Sequence, residues 1–183
     1  MKEEKYMEQA DEEIRDKYKE GQRLSGKGNY DQALTLYKEI LEEKSEFVPA
    51  YNKIAILYIH KNELETAREW LQRALNIDRE FPPAITNLGS IFKKEGNTTA
   101  ARRYYQSAID IDPEYGPAYN NLGVIAREQG NYTESVKFLK KARKYNSYTI
   151  DTSTDRPIYK EPGCIVIIGI IVLILLSIFF LIR

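Results

Sequence analysis

GPAYNNLGVIAREQGNYTESVKFLKKARKYNSYT, residues 116–149, is the stretch whose reading decides the fold. At a period of 3.6 it reads as two amphipathic helices separated by Gly130-Asn131-Tyr132. The first helix sets Tyr119, Leu122, Gly123 and Ala126 on one face. The second sets Val136, Leu139 and Ala142 on one face. Gly123, Ser135 and Ala142 are small enough to let two helices approach closely.

Working outward, the same pattern recurs at a fixed distance. Without gaps, the chain divides into four units of 34 residues: 14–47, 48–81, 82–115 and 116–149. Gly123 is matched by Gly89, Ala55 and Gly21, and the turn residue Gly130 by Gly96, Asn62 and Gly28. Ser135 is matched by Ala101, Ala67 and Ala33, and Leu139 by Tyr105, Leu71 and Tyr37. Ala142 is matched by Ala108 and Ala74, but by Ile40 in the first unit. One helix pair cannot bury its apolar face alone, so consecutive pairs must stack and share a core. Tyr51, Leu71, Ile77, Leu88, Phe92, Tyr105 and Leu122 are expected to fill the space between pairs. The periodicity predicts helices near 10–27, 30–44, 48–61, 64–78, 82–95, 98–111, 116–129 and 132–145. Gly-Asn turns should end the first helix of a pair, because glycine accepts left-handed backbone. Asp78 and Asp112-Pro113 should close second helices. Residues 1–13 read as a charged N-terminal helical extension, with the first repeat helix starting before residue 14.

Composition narrows the function classes. Lys plus Arg and Asp plus Glu are equal at 27 each. Setting aside Arg183 leaves 26 basic against 27 acidic residues, which argues against binding nucleic acid through bulk positive charge. The one cysteine, Cys164, permits no internal disulfide framework. The one histidine, His60, ends a first helix and reads as a surface or groove residue. Paired metal ligands, a nucleophile beside a base and a phosphate-cradling loop are all missing from the sequence. The expectation is therefore of a protein that is not an enzyme, with no cofactor and no small-molecule substrate.

The stretches AYNNLGVIAREQGNY, AITNLGSIFKKEGN and AARRYYQSAIDIDP resemble the tetratricopeptide repeat family, and the resemblance covers residues 14–149. It implies an all-α, right-handed superhelical solenoid of four helix pairs. In that family the first helices line a concave groove that takes a protein or peptide segment. Carried over by position, the groove would be lined by Tyr18, Lys19 and Gln22, then Asn52, Lys53, Ile56 and His60. Units three and four would add Thr86, Asn87, Ser90 and Lys94, then Asn120, Asn121, Val124 and Arg127. Asparagine amides can both donate to and accept from a peptide backbone, and the cations favour an acidic segment or a terminal carboxylate. Co-chaperone members grip a carboxylate with a Lys-Asn-Asn-Lys-Arg set. Here the corresponding positions are Tyr18, Gln22, Lys53, Pro83 and Asn87, so that clamp is not expected.

Past the last unit, residues 150–163 read as a linker, and residues 164–182 (CIVIIGIIVLILLSIFFLI) carry no charge. Nineteen residues make a helix of about 28 Å, close to the hydrocarbon thickness of a bilayer. The expectation is a C-terminal transmembrane helix in a tail-anchored, single-pass layout, with the lipid bilayer as a second partner. Lys137, Lys140, Lys141, Arg143, Lys144, Arg156 and Lys160 lie before this segment and only Arg183 after it, which predicts a cytoplasmic repeat domain. Cys164, at the membrane boundary, is a candidate lipid-facing or acylated residue. An Ile-, Lys- and Tyr-rich composition favours a prokaryotic plasma membrane over an organelle membrane.

The reading that results is a membrane-tethered adaptor or scaffold. The alternative is a structural subunit whose transmembrane helix makes specific contacts within a membrane complex. In either case no complete capping helix follows the last unit, so the outer face of 132–145, including Phe138 and Tyr145, is expected to lack cover.

Overall fold

Four turns set the geometry of the helix pairs. Gly28, Gly96 and Gly130 have φ of 81°, 82° and 79°, and Asn62 takes φ 62° at the same place in its unit. This left-handed step ends the first helix and turns the chain into the second, and asparagine is among the side chains that tolerate it best after glycine. The computed structural model describes residues 2–145, and among them every regular element is helical. A short α1 (Lys2–Glu8) precedes four pairs: α2 (Glu12–Gly26) with α3 (Tyr30–Glu43), and α4 (Val48–His60) with α5 (Leu64–Ile77). Then come α6 (Pro82–Lys94) with α7 (Thr98–Ile111), and α8 (Gly116–Glu128) with α9 (Tyr132–Tyr145).

The other punctuation is equally local. Proline stands in the first turn of α4, α6 and α8, where its missing N–H leaves nothing unsatisfied. At the far ends of α5 and α7, Asp78 and Asp112 accept from the backbone N–H of Glu80 and Glu114, each at 3.0 Å. These side-chain turns stop the helix and aim the chain at the next unit.

Within each pair the contact is close because a small residue faces a large one. A Cβ on Gly21 would sit 2.7 Å from the Tyr37 ring, one on Gly89 2.7 Å from the Tyr105 ring, and one on Gly123 2.9 Å from Leu139. Unit two satisfies the same contact with Ala55, and there the facing position is the smaller Leu71. In the last unit the Ser135 hydroxyl donates to the Gly123 carbonyl at 2.8 Å, a bond that alanine at the equivalent positions cannot make. Between units, α3 packs on α4, α5 on α6 and α7 on α8. The first helices also meet one another, α4 on α6 and α6 on α8, and form a continuous inner surface. Surface ion pairs such as Arg68–Glu95 at 2.6 Å and Lys93–Glu128 at 2.8 Å cross unit boundaries and add little to stability.

Three expectations change. The N-terminal extension is a helix separate from α2, with residues 9–11 between them, and Ala10 in that connection is buried in the same core cluster as Ile14. Ile77 is not filling: it is 42% exposed, since α5 ends on it and the chain leaves for Asp78. Phe138 and Tyr145 do not stand on the outer face of α9. Their rings pack at 6.4 and 5.6 Å from that of Tyr119. The uncovered stripe is Tyr132, Val136 and Leu139, at 68, 50 and 36% exposure. Leu139 is exposed because no further helix among the described residues covers the place that α4, α6 and α8 cover for the preceding units.

No helix among the described residues is long and apolar enough to cross a membrane. The expected linker at 150–163, the transmembrane helix at 164–182 and Cys164 lie outside the described residues.

Candidate functional site

The inner surface starts from residues that the 34-residue spacing puts in register. Tyr18, Asn52, Thr86 and Asn120 occupy one position along the first helices, and Lys19, Lys53, Asn87 and Asn121 the next. Their environments differ sharply.

In unit one the site is already filled. Tyr18 is 1% exposed, its ring edge-on to Phe47 at 5.5 Å, and its hydroxyl donates to the Glu3 carboxylate. Lys53 reaches the same carboxylate at 3.6 Å and lies 5.7 Å over the Tyr18 ring. Three residues on in α1, Tyr6 inserts edge-on between Phe47 and Phe81, at 6.3 and 5.9 Å, with interplanar angles of 89° to both. Its hydroxyl donates to Asp78 at 3.3 Å. Tyr18, expected to line an open groove, is instead covered by α1. Aromatic bulk at this position favours burial over a water-facing role.

In unit two Asn52 is 2% exposed, and its side-chain oxygen accepts from the Asn87 amide at 2.7 Å. Two residues expected to offer their amides to a ligand thus satisfy each other, which is how a buried amide avoids the penalty of desolvation. In unit three Thr86 is 4% exposed, and its hydroxyl has no hydrogen-bond partner among the described residues. Such an orphan costs about 1–3 kcal/mol. Thr86→Val should therefore raise stability by about 1 kcal/mol, read as a higher urea midpoint at unchanged slope.

Of the remaining expected residues, Lys19 is exposed, and Ile56, Ser90 and Val124 are half-buried. Gln22, Lys94, Asn120 and Arg127 are exposed, and Asn121 is half-buried. The Lys94 ammonium reaches the Ile59 carbonyl at 3.4 Å. His60 is exposed and stacks on Tyr30 at 5.5 Å. Among the described residues, no group of His, Cys, Asp and Glu could hold a metal ion.

The sequence reading did not find Glu3, Tyr6, Phe47 and Phe81. A signal existed: Tyr6, Met7, Ala10 and Ile14 form an apolar spacing inside the charged run. The charges around it concealed a second docking face.

Burial, with the Asp78 and Glu46 carboxylates nearby, pushes the Tyr6 hydroxyl up to about 12. Burial likewise pushes Tyr37 up to about 12. Both phenols hold their protons more tightly in the folded chain than at the ordinary value of 10.0. Their contribution is therefore fully present below about pH 10 and is lost as pH rises through about 12. An alkaline titration followed by tyrosinate absorbance and helicity should show stability falling across that window. Tyr6→Phe should shallow the fall.

Two models of the tetratricopeptide repeat match consecutive stretches, residues 24–88 and 86–148. No curated protein matches the chain. Among solved structures, the crystal structure of MamA is similar at 24% identity, with 72% of this chain and 77% of that one covered and a TM-score of 0.55. TTC0263, a thermophilic protein of this repeat class from Thermus thermophilus, is similar at 19% identity, with 73 and 74% covered and a TM-score of 0.63. PilF of Pseudomonas aeruginosa is similar at 20% identity and a TM-score of 0.61, and the match covers 74% of this chain and 62% of PilF. At these identities the likeness is one of fold. With the two matches together spanning more than half of the sequence, the chain belongs to the tetratricopeptide repeat family.

Proposed function

We propose that this protein is a membrane-tethered adaptor whose inner surface binds a helical segment of a partner protein. Tetratricopeptide repeats generally mediate contacts between proteins. One observation carries the reading for this chain: a helical segment, α1, lies against the first helices and is held there by both rings and charge. The surface beyond it continues with Asn120, Lys94 and Arg127 open to solvent and Asn121 half-buried beside them, a set suited to an acidic stretch. The apolar run at 164–182 supplies the tether, and the lysine-rich end of the last unit places the repeats on the cytoplasmic side. A prokaryotic plasma membrane is the proposed location.

The test has two arms. Full-length protein should remain with membranes after alkaline extraction, and a version ending at residue 163 should be released. Purified in detergent, the full-length chain should retain a defined set of proteins that Asn121→Ala with Arg127→Ala loses. Retention of an identical set by that double variant would refute groove binding.

A second reading has its own observation. The Tyr132, Val136 and Leu139 stripe on α9 favours lateral packing within a larger complex. Replacing residues 164–182 with an unrelated apolar helix separates the two. An adaptor keeps its partners after that exchange, and a subunit held by specific helix contacts does not.

A further inference from the structure

We propose that the cradle of Tyr18, Phe47, Lys53, Asp78 and Phe81 is the docking site for a helical partner segment with a glutamate and, three residues later, a tyrosine. In the free chain α1 occupies that cradle as an internal stand-in. This rests on the inner surface being a binding groove and goes further by giving the partner's chemistry.

The cradle selects at two points. Its first point is cationic: the Tyr18 hydroxyl and the Lys53 ammonium converge on one carboxylate, that of Glu3. Its second is an aromatic slot with an acceptor at the far end, where Phe47 and Phe81 flank Tyr6 and Asp78 takes its hydroxyl. A carboxylate and a ring on one face of a helix reach both points together, as Glu3 and Tyr6 do at their i, i+3 spacing. Phenylalanine would fill the slot but leave Asp78 without that donor. An acidic side chain in the slot would meet Asp78 and Glu46, the carboxylates that already act on Tyr6.

The pattern recurs 34 residues later with one change. Phe81, Tyr115 and Asp112 stand where Phe47, Phe81 and Asp78 stand, but Asn87 replaces Lys53 and is engaged with Asn52. Charge selection is thus confined to the first cradle.

The occupant is a marginal helix on its own. α1 has seven residues, fewer than the roughly 12–15 that an isolated helix needs to persist in water. Gln9–Asp11 separate it from α2, and the four helix pairs contact one another without it.

The test uses a fluorescein-labelled peptide of residues 2–10, KEEKYMEQA, with full-length protein in detergent and fluorescence anisotropy as the readout. The wild-type chain should bind it weakly. Glu3→Ala with Tyr6→Ala should bind it at least tenfold more tightly, because the cradle is open. Glu3→Ala alone keeps the ring contacts and should shift affinity in the same direction by less. Adding Lys53→Glu to the double variant should abolish binding, and a peptide with lysine in place of its first glutamate should restore it. Equal affinity of wild type and double variant, no binding by either, or indifference to Lys53→Glu would each overturn the proposal. So would a wild-type dimer that Tyr6→Ala dissolves, since the occupant would then be a second copy. If the peptide fails while Asn121→Ala with Arg127→Ala still loses its partners, this inference falls and the groove reading stands.

Discussion

Phe81→Ala should lower the unfolding free energy of the repeat domain by about 3–5 kcal/mol, the range for deleting a fully buried aromatic ring. Phe81 is 0% exposed and stands just before α6, where its backbone accepts from Ala84 and closes the turn. It belongs to the same buried cluster as Val48, Ala55, Leu71, Ala74, Leu88 and Ile91, which draws on units two and three. It is also one wall of the Tyr6 slot. Phe81 lies in the short connection between α5 and α6, which pack on one another, and that limits collapse of the resulting cavity. Urea unfolding followed by circular dichroism measures the loss. A change under about 1.5 kcal/mol would mean that the site relaxes around the missing ring. The same variant should let Tyr6 ionise nearer its ordinary value, which the tyrosinate titration reads directly.

Gly89→Ala is the second large effect, and its sign opposes helix propensity. On propensity alone, alanine in place of a mid-helix glycine stabilises by about 0.5–1 kcal/mol. At this position the new Cβ falls 2.7 Å from one Tyr105 ring carbon, 2.9 Å from another and 3.1 Å from the Tyr104 Cβ. Tyr105 is 1% exposed, with its hydroxyl 3.3 Å from the Ser90 hydroxyl, so the ring has nowhere to swing. Overpacking of this kind costs about 1–3 kcal/mol, so the net effect is destabilising. Tyr105→Leu in the same chain should recover most of the loss, because Ala55 facing Leu71 is that arrangement in unit two. Thermal melts of the two single variants and the double variant give the coupling. Additive effects would refute the steric account.

These pairings explain what was legible in the sequence. A 34-residue period shows itself because the same contact is remade in each unit. Gly21 with Tyr37, Gly89 with Tyr105, Ala55 with Leu71 and Gly123 with Leu139 are four solutions to one close approach. The turns were legible because left-handed backbone admits few residues, and Asn62 among three glycines shows the constraint. The direction of a side chain on a first helix was not legible. Such a helix has two buried flanks and one open strip, and a single position can serve either. Tyr18 and Asn52 went under cover while Asn120, at the equivalent place, stayed exposed. What decides is the neighbouring chain. Tyr18 is covered by a helix whose charges read as solvent-facing, and Asn52 is engaged by an amide 35 residues away. Ile77 misled for a simpler reason, since a helix end offers no neighbour on its far side.

The three residues between α1 and α2 fix the concentration against which any visiting segment competes. A segment on so short a tether meets its own site at an effective concentration of about millimolar. A free segment making the same contacts at micromolar levels would therefore displace only a small fraction of α1. To win, a visitor needs contacts that α1 lacks, and Asn121, Asn120 and Arg127 lie farther along the same surface. If the cradle takes a partner segment, the short N-terminal helix is a threshold: it rejects segments that match the first cradle alone and admits those long enough to run on to the fourth unit.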